Sequence, residues 1–467
     1  MTHTSPFRAA VAKAAAAGRR LTLVAGALVM LASPATAQEP ADTLFPIAFW
    51  ESVRDTTLRR LIREAVEASP DVRVAASRIS AARADKLNAT LDLVPTVTAV
   101  GGYTRGRFST VGVPGVTGTF PDIDVWDAGL LLSWEVDVFG RLRNARSGRS
   151  ALLASAGEDL RDVQVILAAE VADAWFDLLG AEERLAVARG NAENQGQTLA
   201  LTERRLEAGR GNAFDTERAR AQLQTTLAAV PALETAVAAN RYRIGVLVGR
   251  SPTEVARELA VAPRIPEMPE SLVVERRDTL VRHRPDVRSA ERQLAASRSF
   301  VGAAKAEYWP RVAIEGSGGW TSLTFDALAE ERTGRYAIGP VVSWPFLNLG
   351  RVKAGVDFAK AGESEARARY DQVVLRAEQE VETSLVTYDK AQERLDRLEE
   401  SAGASERAAE FARLRFVEGA SDFLSVLDAE RTMLEAQDRL ALGRAEAASA
   451  LVGVYRAFGG AWALPTE

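Results

Sequence analysis

An internal repeat sets the main limits on how this chain can fold. Short motifs of the first half return in the second half, in the same order, at an offset of about 210 to 215 residues. We therefore predict two copies of one structural unit, at 38–262 and 272–467, joined by a linker at 263–271 whose prolines favour an extended chain. The paired motifs are Ser69-Pro70-Asp71-Val72 with Arg284-Pro285-Asp286-Val287, Val94-Pro95 with Trp309-Pro310, Ser133-Trp134 with Ser343-Trp344, and Leu206-Glu207-Ala208-Gly209 with Phe416-Val417-Glu418-Gly419.

The same order of elements is predicted in each copy. Apolar and polar residues alternate over two short stretches, which is the period of the strands of a β-hairpin. A long proline-free stretch follows, and some 65 helical residues at 1.5 Å each would make a rod of about 100 Å. The predicted fold class is therefore mainly α with a small β part. The predicted elements are helices at about 56–93 and 272–308, hairpins at about 96–139 and 311–347, and long helices within about 142–249 and 352–458.

Residues 1–37 have the pattern of a secretory signal peptide. Positive residues precede an apolar stretch, and Ala35 and Ala37 fit a small-x-small cleavage site. The chain has no cysteine, so we expect no lipoprotein processing, no disulfide and no thiolate metal site. The formal net charge is −5 and becomes more negative without the basic signal, which argues against a nucleic-acid partner.

Catalytic chemistry finds little support in the sequence. The chain without its signal keeps a single histidine, His283, between two arginines. There is no phosphate loop, no metal-ligand cluster, no Gly-x-Ser-x-Gly motif and no plausible triad. We therefore expect no enzyme activity, no cofactor and no bound metal.

The two hairpins together supply four strands of a length that can cross a bilayer when tilted. A soluble hairpin with one buried face would show the same alternation. Glu135 and Asp137 alternate with the apolar face and are predicted to point into a lumen. Four strands cannot close a barrel, and open strand edges cannot face lipid. If the strands span a membrane, several chains must therefore share one barrel.

Several segments, in order, then resemble one known family. The chain is similar to the TolC-like outer-membrane efflux factors, in the OprM/NodT-like branch, from Trp50 to Trp462. The segments that carry this resemblance are Arg284-Pro285-Asp286-Val287-Arg288, Ala290-Glu291-Arg292, Ala303-Ala304-Lys305-Ala306, Leu427-Asp428-Ala429-Glu430-Arg431 and Tyr455-Arg456-Ala457-Phe458-Gly459-Gly460-Ala461-Trp462.

The resemblance implies a homotrimer in the outer membrane of a Gram-negative cell. Three chains would form a 12-stranded β-barrel in the lipid, continued by an α-helical barrel in the periplasm. The function implied is that of a passive exit duct in a tripartite multidrug efflux system, with a periplasmic adaptor (membrane fusion) protein and an inner-membrane RND-type pump as partners. Type I protein secretion, metal efflux and a non-pore periplasmic coiled-coil protein are the alternatives.

The turns between the long helices are the predicted adaptor-docking tips. Gly209 and Gly419 permit the positive φ that ends a helix. By resemblance, these glycines meet the adaptor together with Asp215 and Ser421.

The periplasmic aperture is predicted just beyond the second turn. Leu424 and Asp428 are four residues apart and so share one helix face. By resemblance they would line the aperture as an apolar constriction and as an acidic ring that favours cations.

Some family members also close this aperture with a Tyr and an Arg bonded to an Asp. Asp215 occupies that Asp position, but Phe416 and Ser421 occupy the partner positions and supply neither phenol nor cation. We therefore predict that closure depends on Leu424 packing and on other, unidentified pairs.

Overall fold

The computed structural model describes residues 48–51, 53, 55–107, 121–260, 264–268, 272 and 277–460. The predicted signal segment, with Ala35 and Ala37, and part of the predicted linker lie outside these residues. Among the described residues, none of the helices has both the length and the apolar composition that a membrane span requires.

The order of elements follows the repeat, and the predicted fold class is confirmed: the chain is mainly helical with one small sheet. The first copy contains the series α3-β1-β2-α4-α5, and the second contains α8-β3-β4-α9-α10. The bounds are α1 Ala48–Glu51, α2 Thr56–Ala68, α3 Pro70–Leu91, β1 Thr96–Gly106, β2 Ile123–Val136, α4 Arg141–Glu207, α5 Ala213–Leu247, α6 Pro252–Glu258, α7 Arg277–His283, α8 Pro285–Ala306, β3 Arg311–Ser322, β4 Gly334–Ser343, α9 Leu349–Val417 and α10 Phe423–Ala457.

The first helix of each copy is broken, contrary to the sequence-based prediction of one helix at 56–93 and one at 272–308. In the first copy, α2 ends just before Ser69 and α3 begins at Pro70; in the second, α8 begins at Pro285. Proline lacks a backbone N–H and crowds the residue before it. Ser69 accordingly takes an extended ψ of 139°.

A glycine packs against this break in both copies. Gly249 and Gly459 have φ values of +70° and +63°. A Cβ on Gly249 would lie 2.9 Å from the carbonyl oxygen of Ala68, and a Cβ on Gly459 would lie 2.9 Å from Cδ of Pro285. Only glycine combines this φ with such a close approach. The repeat therefore extends from the motifs to their tertiary contacts.

The four strands form one antiparallel sheet in the order β1-β2-β3-β4. Its register runs across one face through Val97, Leu132, Gly316 and Ile338. Side chains alternate across a strand, so this face also carries Trp126, Trp134, Trp320, Tyr336 and Val342.

The opposite face of the sheet is polar. Asp127 accepts hydrogen bonds there from Thr321, at 2.6 Å, and from Arg335, at 3.3 Å. Glu135 lies on the same face, as predicted, whereas Asp137 lies beyond the end of β2. The Asp137 carboxylate accepts instead from the backbone N–H groups of the first turn of α4, because these groups have no partner within the helix.

Two compact units divide the described residues, and they do not coincide with the two repeats. The sheet unit contains the described residues of 82–152 and 295–365, and the helical unit contains the described residues of 42–81, 153–294 and 366–467. Each unit thus takes part of each repeat. A main apolar core lies in the helical unit, where the rings of Phe49, Trp50 and Tyr455 have centroids 4.8 to 5.0 Å apart.

Candidate functional site

The two turns between the long helices have the same backbone conformation. Gly209 and Gly419 have φ values of +67° and +75°. In each turn the residue after the glycine donates its N–H to the carbonyl five residues earlier, at 2.8 Å. These bonds satisfy carbonyls that the helix end leaves without a partner. The conformation predicted for both glycines is therefore present.

The helix that follows each turn begins with a side-chain cap, but the caps differ in charge. Asn212 accepts from the backbone N–H of Asp215 at 2.8 Å and donates its amide N–H to that carboxylate at 2.9 Å. Asp422 accepts from the backbone N–H of Ser425 at 3.0 Å and from its hydroxyl at 2.6 Å. The Ser425 hydroxyl and then its N–H hold the pKa of Asp422 below its ordinary value. In the first turn, Asp215 thus both donates its backbone N–H to the Asn212 cap and accepts from the Asn212 side-chain amide.

A small apolar cluster, the tip cluster, joins the elements on both sides of the turns. Phe416 and Phe423 lie within it, with ring centroids 5.6 Å apart. The guanidinium of Arg205 lies 4.1 Å from the centroid of the Phe416 ring and donates to the Phe416 carbonyl at 3.0 Å. Phe416, at the position where the resemblance would place a tyrosine, is therefore buried in the apolar tip cluster. The buried members of the cluster are Ala219, Phe416, Phe423 and Val426, and Leu199, Leu201, Ala412 and Leu427 pack against them.

Leu424 and Asp428 lie on the face of α10 that points away from the tip cluster. Leu424 is 49% exposed although it is apolar. The Asp428 carboxylate accepts from Arg431, at 3.0 Å, and both side chains are exposed. In a single chain this face is thus an exposed leucine followed by an exposed ion pair. Ser421 differs, because its hydroxyl is buried without a hydrogen-bond partner among the described residues.

The equivalent face of the first copy carries the opposite charge, and sequence reasoning missed it. The offset that pairs Gly209 with Gly419 also pairs Phe214 with Leu424 and Arg218 with Asp428. Phe214 is 68% exposed, and the guanidinium of Arg218 lies 5.5 Å from its ring centroid. The repeat offset was the signal that could have identified both residues.

A buried carboxylate lies two residues beyond Asp428 and was also missed. Glu430 is 1% exposed. Its Oε1 accepts from Thr198 of α4 at 2.9 Å and from Arg413 of α9 at 2.8 Å. Within the described part of the chain, Glu430 Oε2, Arg413 Nη2 and both amide atoms of Gln195 have no hydrogen-bond partner. Glu430 therefore ties α10 to two other helices through a network that is only partly satisfied.

The comparisons with known proteins agree with this architecture. The family model described as "Outer membrane efflux protein" matches residues 61–250 and 277–460. The chain therefore belongs to the outer membrane efflux protein family, and the resemblance inferred from its motifs is confirmed.

Among curated relatives, the toluene efflux pump outer membrane protein TtgF of Pseudomonas putida is 28% identical over 409 residues, which cover 88% of this chain and 84% of TtgF. The probable outer membrane lipoprotein SilC of Salmonella typhimurium is 27% identical and covers 87% of each chain. The solved structure of the outer-membrane channel OprN is 36% identical, with a TM-score of 0.83, and covers 92% of this chain and 97% of OprN. The Campylobacter jejuni channel CmeC, at 19% identity and a TM-score of 0.83, shares the fold.

Proposed function

We propose that this chain is one protomer of a passive outer-membrane exit duct in a tripartite efflux system, with a periplasmic adaptor and an inner-membrane pump as partners. The observation that carries this proposal is the similarity to the OprN channel over nearly the whole of both chains. Because several relatives are named as toluene, solvent or antibiotic efflux proteins, we assign small organic toxicants as the cargo class.

The sheet supports a trimer that shares one barrel. One of its faces is rich in apolar and aromatic side chains, while the other carries Asp127, Glu135 and Arg335. In the described part of the chain, β1 and β4 each have only one neighbouring strand. Lipid cannot satisfy the open backbone groups of such edges. Pairing of β4 with β1 of the next protomer would close a barrel, and three protomers would supply twelve strands.

The aperture is assigned to Leu424 and Asp428. An exposed leucine one turn before an exposed carboxylate fits a surface that meets its symmetry copies, since the leucines can pack together and the carboxylates can form a ring. Gly209, Asp215, Gly419 and Ser421 shape the two turns that would face the adaptor. The Asp215 carboxylate and backbone N–H are both hydrogen-bonded to the Asn212 side chain. This supports closure of the aperture without bonds from a tyrosine and an arginine to Asp215.

Single-channel recording in a planar bilayer tests this function. Wild-type protein should give small, cation-selective currents. The variant Leu424→Ala/Asp428→Ala should give larger and steadier currents, because it removes both the constriction and the ring. Asp215→Ala is the matched tip variant and should give the same small currents as the wild type. A leaky Asp215→Ala channel would refute the assignment of closure to Leu424, and a protein that forms no channels would refute the function itself.

A further inference from the structure

A cavity of about 1150 Å³ lies in the helical unit, and another of about 740 Å³ lies in the sheet unit. The smaller one lies where the strands meet the long helices. Its wall includes Arg141, Glu307, Arg311, Trp344, Asn348 and Arg351. Three arginines and one carboxylate give this cavity an excess of positive charge.

The first copy neutralises its own arginines at this junction. Glu135 accepts two hydrogen bonds from Arg141, at 2.9 and 2.6 Å. Asp137 accepts from the guanidinium of Arg143 at 3.0 Å. Two carboxylates thus match two guanidinium groups, and such charge-assisted pairs are among the stronger hydrogen bonds in proteins.

The second copy keeps the cations and loses both carboxylates. An offset of 210 residues pairs Trp134 with Trp344. With this offset, Pro345 is the equivalent of Glu135 and Leu347 is the equivalent of Asp137. Arg351 is the equivalent of Arg141. Lys353, the equivalent of Arg143, pairs with Asp357 at 2.6 Å.

The other two arginines of the cavity are also occupied, Arg141 by Glu135 and Arg311 by Glu307 at 2.9 Å. Of the carboxylates that the structure describes, none lies within ion-pair distance of Arg351. Arg351 is therefore the cation of this wall that lacks a counter-charge.

Exposed apolar side chains lie in the segment that forms part of this wall. Trp344 lines the cavity and is 50% exposed. Phe346 and Leu347 lie between the lining residues Pro345 and Asn348 in the sequence and are 57% and 82% exposed. Trp344 donates its indole N–H to the carbonyl of Tyr308 at 3.1 Å, so its ring is fixed. Tryptophan with a satisfied N–H and an exposed ring is typical of the membrane interface. An unpaired cation beside fixed aromatic surface matches a ligand with an anionic head and an apolar tail.

We propose that this cavity binds an anionic phospholipid, whose phosphate pairs with Arg351 and whose acyl chains cover Trp344, Phe346 and Leu347. The lipid supplies to the second copy the anion that Glu135 supplies to the first. This inference rests on the proposed function, because that function places the helical end of the sheet at the headgroup level of the periplasmic leaflet.

Native mass spectrometry of the purified full-length protein tests the site. Delipidated protein in detergent is titrated with phosphatidylglycerol, with phosphatidylcholine, or with inorganic phosphate alone. Wild type should retain phosphatidylglycerol preferentially. Arg351→Gln should weaken that binding about tenfold, as expected for loss of a charge-assisted hydrogen bond. Pro345→Glu should weaken it similarly by restoring an internal carboxylate. Arg367→Gln, an exposed arginine further along α9, is the control and should bind as wild type does.

Four results would overturn the assignment. Equal retention of both lipids, or unchanged binding by Arg351→Gln, would remove the site. Occupancy by inorganic phosphate that phosphatidylglycerol does not displace would make the ligand a soluble anion. Because the chain has no cysteine, Leu347→Cys gives a unique label, and its cross-linking to another protomer would show that a second copy covers this surface. Protein that forms no channels would remove the proposed function along with the site, whereas channels without lipid preference would remove the site alone.

Discussion

The turns at Gly209 and Gly419 have one backbone conformation but different surfaces. Both end a long helix with a glycine of positive φ and begin the next with a side-chain cap. The first turn is then followed by the exposed Phe214 and the half-buried Arg218 beside its ring, and the second is followed by the exposed Leu424 and Asp428. The repeat thus preserves the positions that the backbone requires and lets the others diverge.

The two copies also differ in what they bury next to the turn. Glu430 in the second copy is buried against Arg413 and Thr198. Its equivalent in the first copy, Arg220, is exposed and pairs with Glu203 and Glu217. Among the described residues, the buried charged network that links three helices next to the proposed aperture is therefore centred on the second copy, and the first copy has an exposed ion-pair cluster at the equivalent position.

The largest effect is expected from Glu430→Ala. Removing one partner of a buried ion pair leaves the other charge poorly solvated, and Arg413, which is 35% exposed, should limit the loss to about 3 kcal/mol of stability. Thermal unfolding followed by circular dichroism should show a clearly lower midpoint. Arg220→Ala is the control at the equivalent position and should unfold close to wild type. Equal unfolding midpoints for the two variants would show that Glu430 and Arg220 contribute equally to stability.

Reversing the charge at Asp428, in the proposed aperture, is expected to change ion selectivity. Asp428→Arg places in the second copy the charge that Arg218 places in the first, and a ring of cations should repel cations. Reversal potentials in a salt gradient should move toward anion selectivity. Arg218→Asp should move the reversal potential much less, because in the proposed channel Arg218 does not line the aperture. A larger shift from Arg218→Asp would transfer the aperture to the first turn.

The glycine turns should respond alike. A Cβ on Gly209 or Gly419 would meet no atom within 4 Å, so alanine costs only the strain of a left-handed backbone, about 1 to 2 kcal/mol. Hydrogen exchange of the adjacent helix ends should increase by the same factor in Gly209→Ala and Gly419→Ala. Unequal increases in exchange would mean that the two turns differ in local stability although they share one backbone conformation.

The smallest effect is expected when the pH is lowered. Because bonding from Ser425 lowers the pKa of Asp422 in the folded chain, its stabilising contribution is present above the unfolded pKa of about 3.9 and is lost as pH falls through the folded pKa. The amide cap Asn212 has no such titration. Local exchange at the second turn should therefore increase at low pH relative to the first, and Asp422→Asn should remove that difference. The same pH response in both turns would contradict this account.

Much of the architecture was predictable because its causes are local. Alternation predicted the two hairpins within which all four strands lie, although it was weaker in β1, and the paired motifs predicted the repeat. The breaks before Pro70 and Pro285 were not predicted, although proline disfavours a continuous helix. The reason is that the sequence has a helical pattern on both sides of each proline. Leu424 and Asp428 were placed on one helix face by spacing alone, whereas Glu430 resembled any charged residue on a charge-rich helix.

The duplicated order of elements and the positions of the turns follow from the amino-acid sequence, since glycine, proline and hydrophobic period act over a few residues. Which of the described charges are buried, paired or left without a partner depends on tertiary packing. Glu430 meets a threonine 232 residues away, and Arg351 lacks the carboxylate that its equivalent, Arg141, has in Glu135. Burial and pairing depend on which surfaces distant helices bring together, and no local pattern records that.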